Sequence, residues 1–372
     1  MVISSLYVLI PLINQLANIF HSTVYLTASV NSVFSIFYAI GFLYFGPLYE
    51  KYGKKQTIVL GMFLLSIITL IAGFSTSLKF LTMCRAFQGF VAASFAPAAF
   101  AYIFECFSDS KRMITMTWVT TGFLAAGIIG QIMSSLLVQF FSWRYVFWIF
   151  ALIYIILCFA NWQVLISTST GKKTEYEGIG IVITRLSKNN SLIKAYITAF
   201  TLLLSYVALY SVIGDCLTTV LLFSPSEIFN SRAIGIVGII IGSLLVRPIT
   251  NRYKLNKGVA FGITIMIISV IVPIVIPTMA GVLFSVICFA GGISVTIPCL
   301  ISLVGFLAGR DSGLAVTGYT FIIFVGASIG PLIANAGEFR LIALSLVCIL
   351  CIALGMTLSI NEEAVKHTIT AS

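Results

Sequence analysis

An all-α membrane protein of twelve transmembrane helices, in two six-helix pseudo-repeats, is the fold this sequence predicts. Three observations predict it. The 372 residues are 60% apolar and only 9% charged, with a mean hydropathy of +1.11, whereas a soluble domain carries about 25% charged residues. Apolar runs of about 20 residues, long enough to cross a ~30 Å hydrocarbon core, recur along the whole chain. Landmarks of the first half also reappear in the second at one constant spacing. Such a composition excludes a disordered chain, a collagen-like repeat and a small disulfide-stapled scaffold.

The predicted segments are 2–20, 28–48, 56–75, 79–103, 113–138, 143–166, 194–213, 228–249, 258–277, 280–307, 314–335 and 340–359. The first begins almost at Met1, without a polar leader or cleavable signal peptide, so the chain starts abruptly or its start is set late. Gly214 to Asn230 mixes apolar and polar residues, which leaves the edges of the seventh and eighth segments open. The longest polar stretch, Ser167 to Lys194, falls mid-chain and reads as a linker. The expected organisation is a bundle over 1–166, a cytoplasmic linker over 167–193, a second bundle over 194–359 and a cytoplasmic tail over 360–372.

The net charge of +10 would suggest nucleic acid on a soluble face. Here the lysines and arginines lie in loops between apolar runs, so membrane orientation explains them better and no nucleic-acid partner is expected. With the loop after the second segment placed inside, sixteen Lys and Arg fall on that side and four on the other. The bias puts both termini in the cytoplasm. Eight cysteines are mostly embedded in apolar runs, and Cys348-x-x-Cys351 lies within the last one, so packing is preferred to redox or zinc chemistry.

The repeat is specific. Pro47, Lys51 and Tyr52 correspond to Pro248, Arg252 and Tyr253, each 201 residues later. The same shift carries Pro97 to Pro298 and the polar turn Asp109–Arg112 to Arg310–Gly313. Paired six-helix repeats around a linker suit a transporter that binds its substrate near the midplane and rocks between two accessible states.

Three motifs sharpen this reading. The loop after the second segment runs Gly46-Pro-Leu-Tyr-Glu50-Lys51-Tyr-Gly53-Lys54-Lys55. It resembles the signature of the major facilitator superfamily, Gly-x-x-x-acid-base-x-Gly-base-base, with every class filled. The resemblance implies a conformational switch at Gly46, Glu50, Lys51, Gly53, Lys54 and Lys55, with Glu50 locking the inner sides of the two halves. A carboxylate facing the N-terminus of the eleventh segment would meet the positive end of a helix dipole. The bases would hold the lipid surface and pair with acids such as Glu105 or Asp109. The second-half copy carries Asn251 in place of the acid.

The fourth segment contains Arg85-Ala-Phe-Gln88-Gly89, similar to the Arg-x-x-Gln-Gly motif of that superfamily. Positions 85, 88, 89 and 92 share one helical face. An intramembrane arginine costs ~2.5–3.5 kcal/mol on insertion scales and so faces protein or a wet cavity, unless it snorkels to the outer surface, with Lys79 only six residues away. In proton-coupled exporters of the family this arginine is implied to act on a nearby proton site. The repeat position is Val286. The fifth segment carries Gly122, Gly127, Gly130 and Gln131, followed by Trp143-Arg144, resembling the glycine-rich fifth helix of exporters. Simple close packing explains those glycines equally well.

Polar residues within segments mark a cavity: Asn14, Gln15 and Asn18 on the first, Tyr38 on the second, and Gln88 with Arg85 on the fourth. Tyr206, Tyr210 and Tyr319 would face them from the second half; any one of these is as readily a helix-to-helix hydrogen bond. Gly171-Lys-Lys-Thr has Ile166 where a phosphate loop needs its first glycine, and Gly178-Ile-Gly180 lacks a third glycine. Two histidines cannot build a metal or catalytic cluster. No cofactor, metal or enzymatic activity is expected.

The expectation is therefore a monomeric twelve-helix major facilitator transporter in a bacterial cytoplasmic membrane. It would export a small molecule, whether drug, siderophore or other metabolite, against a flow of protons. A proton-coupled importer of a small nutrient is the alternative. No acid stands clearly mid-segment, Asp215, Glu227 and Glu338 all falling near outer ends.

Overall fold

The computed structural model describes residues 1–167, 184–219, 233–334 and 339–360, and among them every regular element is a helix. They are α1 (Ser4–Tyr7), a 3-10 turn (Ile10–Leu12), α2 (Ile13–Ile19), α3 (Val24–Tyr52), α4 (Lys54–Ala72), α5 (Leu78–Ala92), α6 (Phe95–Cys106), α7 (Asp109–Phe140) and α8 (Trp143–Val164). Then follow α9 (Asn190–Thr219), α10 (Gly235–Arg252), α11 (Leu255–Val275), α12 (Met279–Ala308), α13 (Ser312–Ala334) and α14 (Phe339–Leu358). Eleven stretches are long and apolar enough to cross a membrane, and the first segment forms a shorter apolar helix over Ser4–Ile19. The protein is a multi-pass membrane protein.

Local chemistry sets the ends. Thr23 and Ser77 accept from Leu26 N and Phe80 N at 3.2 and 3.3 Å, opening α3 and α5. Asn189 accepts from Ser191 N and Leu192 N at 3.1 and 3.2 Å, so α9 starts at Asn190 instead of 194. Each cap satisfies a donor that the first helical turn leaves free. Gly53 (φ 91°) is both the end of α3 and the start of α4, a one-residue corner whose backbone region favours glycine.

Two predicted segments keep their extent as apolar stretches, but proline interrupts the helix inside each. The first does not run straight from 2 to 20, because Pro11 lies in the 3-10 turn and α1 stops at Tyr7, four residues before it. The fourth breaks into α5 and α6 ahead of Pro97. That residue has no N–H for the Ala93 carbonyl, and its ring would clash there. Pro298, its counterpart, sits inside an unbroken α12.

The chain divides into two compact units, Met1–Cys106 with Gly122–Glu175, and Phe107–Thr121 with Tyr176–Ser372. Within each, the same helices meet through the same glycines. In the first unit a Cβ on Gly41 would lie 2.5 Å from the Phe90 carbonyl, and one on Gly61 would overlap Ser94. In the second, Gly242 abuts the Gly291 carbonyl and Gly262 abuts Thr296 and the Gly292 carbonyl. Gly242, Gly262 and Gly291 stand 201 residues after Gly41, Gly61 and Phe90. The pseudo-repeat thus extends from the loops into helix packing, where small residues let backbones approach.

This packing predicts a difference in sign. Gly242→Ala should destabilise the protein by about 1–3 kcal/mol through overpacking. Gly355→Ala, where nothing lies within 4 Å of the added carbon, should be neutral or stabilising by about 0.5–1 kcal/mol. Thermal loss of helical circular dichroism in detergent checks both; equal melting of the two variants contradicts the packing argument.

Candidate functional site

The first unit encloses a polar cluster in its interior. Its centre is Arg85, seven residues beyond the start of α5 and fully buried (0% exposed). Arg85 Nη1 donates to Gln88 Oε1 at 3.1 Å, and Nη2 to Asn31 Oδ1 of α3 at 3.1 Å. Gln88 Nε2 donates to Thr69 Oγ1 of α4 at 2.8 Å, and that hydroxyl donates to the Leu65 carbonyl at 2.6 Å. The guanidinium lies over the Phe34 ring, 4.1 Å from its centroid.

Three helices therefore hold one cation. The i, i+3 spacing puts Arg85 and Gln88 on the face of α5 that meets α3 and α4. Gly89 brings the backbones together there, a Cβ at that position overlapping the Phe34 carbonyl. Ring and neutral amides stabilise the charge without cancelling it. Among the described residues no carboxylate pairs with Arg85, and its Nε is buried without a hydrogen-bond partner. Full burial excludes the snorkelling alternative: the side chain does not reach a surface. A fixed positive charge inside a membrane protein is costly unless something uses it.

Sequence reasoning missed three members of this cluster. Asn31 carried a usable signal, a polar amide within a predicted segment. Thr69 did not, because its hydroxyl already bonds within its own helix. Phe34 is one of thirty phenylalanines. The repeat positions of Arg85, Gln88 and Thr69 are Val286, Phe289 and Val270, all buried and apolar, so the second unit has no copy of the cluster.

Tyr38 is buried on α3 in an aromatic column, its ring 5.8 Å from Phe34 and 4.6 Å from Phe42. On α2, Asn14 and Asn18 are exposed, while Gln15 is half-buried and its Oε1 has no partner among the described residues. The structure does not bring these three amides into the Arg85 cluster. In the second unit, the Tyr206 and Tyr210 rings lie 4.5 Å apart at a 36° tilt, with Phe289 6.4 Å from Tyr206. Tyr319 is buried there, and its hydroxyl has no hydrogen-bond partner among the described residues.

The glycines of the fifth segment have a clear packing role. Ser4 covers Gly130, and Tyr7 sits 3.2 Å from where a Cβ on Gly127 would stand. Ser4 Oγ donates to the Ala126 carbonyl at 2.9 Å, and Ser134 Oγ to the Val8 carbonyl at 2.7 Å. The glycines thus seat the interrupted first segment on α7. Gly122 meets nothing within 4 Å, and Gln131 Nε2 donates to the Gly127 carbonyl at 3.1 Å.

At the opposite, lysine-rich end, Lys54 pairs with Glu105 of α6 at 2.6 Å and lies 5.8 Å from the Tyr49 ring centroid. This is one of the two acids the sequence offered. Gly46 is buried in α3, Lys51 is exposed beside Tyr52 and Lys55 is half-buried. Glu50 lies in the last turn of α3, its side chain outside the described residues, as are those of Asp109 and Asp215. Glu227, Glu338, most of the predicted linker and the tail beyond 360 also lie outside the described residues. The described residues contain no group of three or more His, Cys, Asp or Glu able to hold a metal.

The family profile described as Major Facilitator Superfamily matches residues 1–331. The uncharacterized MFS-type transporter YybF of Bacillus subtilis is 27% identical over 335 residues, 87% of this chain and 80% of that protein. The bicyclomycin resistance protein homolog of Haemophilus influenzae is 28% identical over 115 residues, 31% of this chain and 29% of that one. Among solved structures, the outward conformation of the MFS transporter FucP superposes with a TM-score of 0.74 at 14% identity, covering 97% of this chain and 98% of its own. That likeness speaks to the fold, the twelve-helix architecture expected from the sequence. The chain belongs to the Major Facilitator Superfamily and is a secondary transporter.

Proposed function

We propose that this transporter exports a small molecule in exchange for protons across a bacterial cytoplasmic membrane, with both termini inside. The observation that carries the reading is the buried Arg85 cluster, in which no carboxylate among the described residues pairs with the guanidinium. A fixed cation in a low-dielectric site favours the deprotonated form of any acid brought beside it. An acidic side chain or an anionic substrate that reaches Arg85 as the halves rock would release its proton there, which ties substrate movement to proton movement. Two further features support export: the glycine-rich fifth helix resembling that of exporters, and the relative named for bicyclomycin resistance. Tyr38 in the first unit, and Tyr206, Tyr210 and Tyr319 in the second, supply aromatic surface for the substrate. The Gly46–Lys55 turn, anchored to α6 by Lys54–Glu105, is the switch between access states.

Direction is tested by comparing metabolites in cells with and without the protein. Export predicts a compound that accumulates inside cells lacking the transporter and is depleted from their medium. The reverse pattern, depletion inside and excess outside, would make it an importer.

A further inference from the structure

Along the lysine-rich half of the first unit, α4 and α8 part to leave an open groove of about 630 Å³. Leu60 and Phe63 of α4 and Phe159 and Trp162 of α8 line it, all exposed. Cys158 closes its floor, buried and with its thiol donating to the Val59 carbonyl at 3.4 Å. Polarity is confined to one end, where Lys55 and Gln56 begin α4. Lys54 is engaged by Glu105, but Lys55 makes no ion pair among the described residues, and no acidic side chain lines the groove.

The dimensions are those of one leaflet. Eight residues separate Lys55 from Phe63, about 12 Å along a helix, against about 15 Å for half of a ~30 Å hydrocarbon core. Trp162 lies two residues before the end of α8, at the level where indoles anchor helices to the interface. A groove that is cationic at headgroup level and apolar from there toward the midplane complements an anionic amphiphile with a chain of leaflet length. The geometry points to a bound anionic phospholipid in this groove. One acyl chain lies along Leu60, Phe63 and Phe159, and the phosphate rests against the Lys55 ammonium with Gln56 as a further donor. A second copy of the chain would have to bring an acid to Lys55, whereas lipid phosphate is always at hand.

The test uses the full chain in phosphatidylcholine vesicles, with Trp118→Phe, Trp143→Phe and Trp148→Phe removing the other three tryptophans so that Trp162 alone reports on the groove. Brominated-chain phosphatidylglycerol should quench its fluorescence about fivefold more strongly, mole for mole, than brominated-chain phosphatidylcholine. Lys55→Gln should abolish the preference, Lys55→Arg should keep it, and Lys188→Gln, an exposed lysine of the second unit, should leave it unchanged. Equal quenching by the two lipids, or a preference that survives Lys55→Gln, would overturn the proposal. Shielding of Trp162 from both lipids that deepens as protein is concentrated in the bilayer would put a second copy there and overturn it equally.

Discussion

Arg85→Ala is expected to abolish concentrative transport, lowering it at least ~100-fold, the scale of about 2.7 kcal/mol of lost stabilisation in the rate-limiting state. The guanidinium makes two hydrogen bonds and a ring contact inside the first unit, and alanine removes all three with the charge. Arg85→Lys keeps the charge and the approach to Phe34, but a single ammonium cannot reproduce a planar fork that reaches Gln88 and Asn31 together. Its flux should be impaired yet measurable. Substrate exchange without a gradient should partly survive in both variants if Arg85 serves coupling. Flux against external pH, beside a size-exclusion check of folding, reads the outcome. Wild-type rates with an unchanged pH profile in both variants would remove Arg85 from the mechanism.

The second large effect is expected at Glu50. Its position three residues before the Gly53 corner is set by α3, and its role is that implied by the filled Gly46–Lys55 signature. Glu50→Gln removes charge without changing shape, so expression should stay near normal. Turnover should fall by about 5–150-fold, the range of a 1–3 kcal/mol bias on a two-state equilibrium. Asn251→Gln, at the repeat position that already lacks an acid, should change turnover little. Undiminished turnover in Glu50→Gln would deny the switch its carboxylate.

Much of the fold was legible because the bilayer imposes a length on every crossing helix. The caps were missed: Thr23, Ser77 and Asn189 each receive backbone N–H groups, whereas hydropathy alone starts those segments at 28, 79 and 194. The unforeseen helix breaks lie where proline and hydropathy disagree. Hydropathy carries the first and fourth segments straight through Pro11 and Pro97, while the backbone chemistry of proline breaks both helices just upstream. The 201-residue offset was visible in loop landmarks, but its physical content is deeper. It recurs in Gly41, Gly61, Gly242 and Gly262, where an added Cβ would run into the facing helix.

The site was legible only along one helix. Arg85 and Gln88 announce themselves by i, i+3 spacing within an apolar run. Their partners come from α3 and α4, 54 and 19 residues away in sequence, and nothing local in those helices points to α5. The glycines of α7 show the converse. Their pattern suggested an exporter's helix, and in the structure Gly127 and Gly130 seat Tyr7 and Ser4 of the interrupted first segment.

Proton coupling is the central claim, and proton movement is its direct measure. Proteoliposomes containing a pH-sensitive dye would be supplied on one side with the compound identified by the metabolite comparison, with no imposed pH gradient. Antiport predicts a saturable proton flux opposite in direction to the substrate, lost in Arg85→Ala while substrate exchange persists. Saturable substrate flux with no proton movement in the wild type would contradict it.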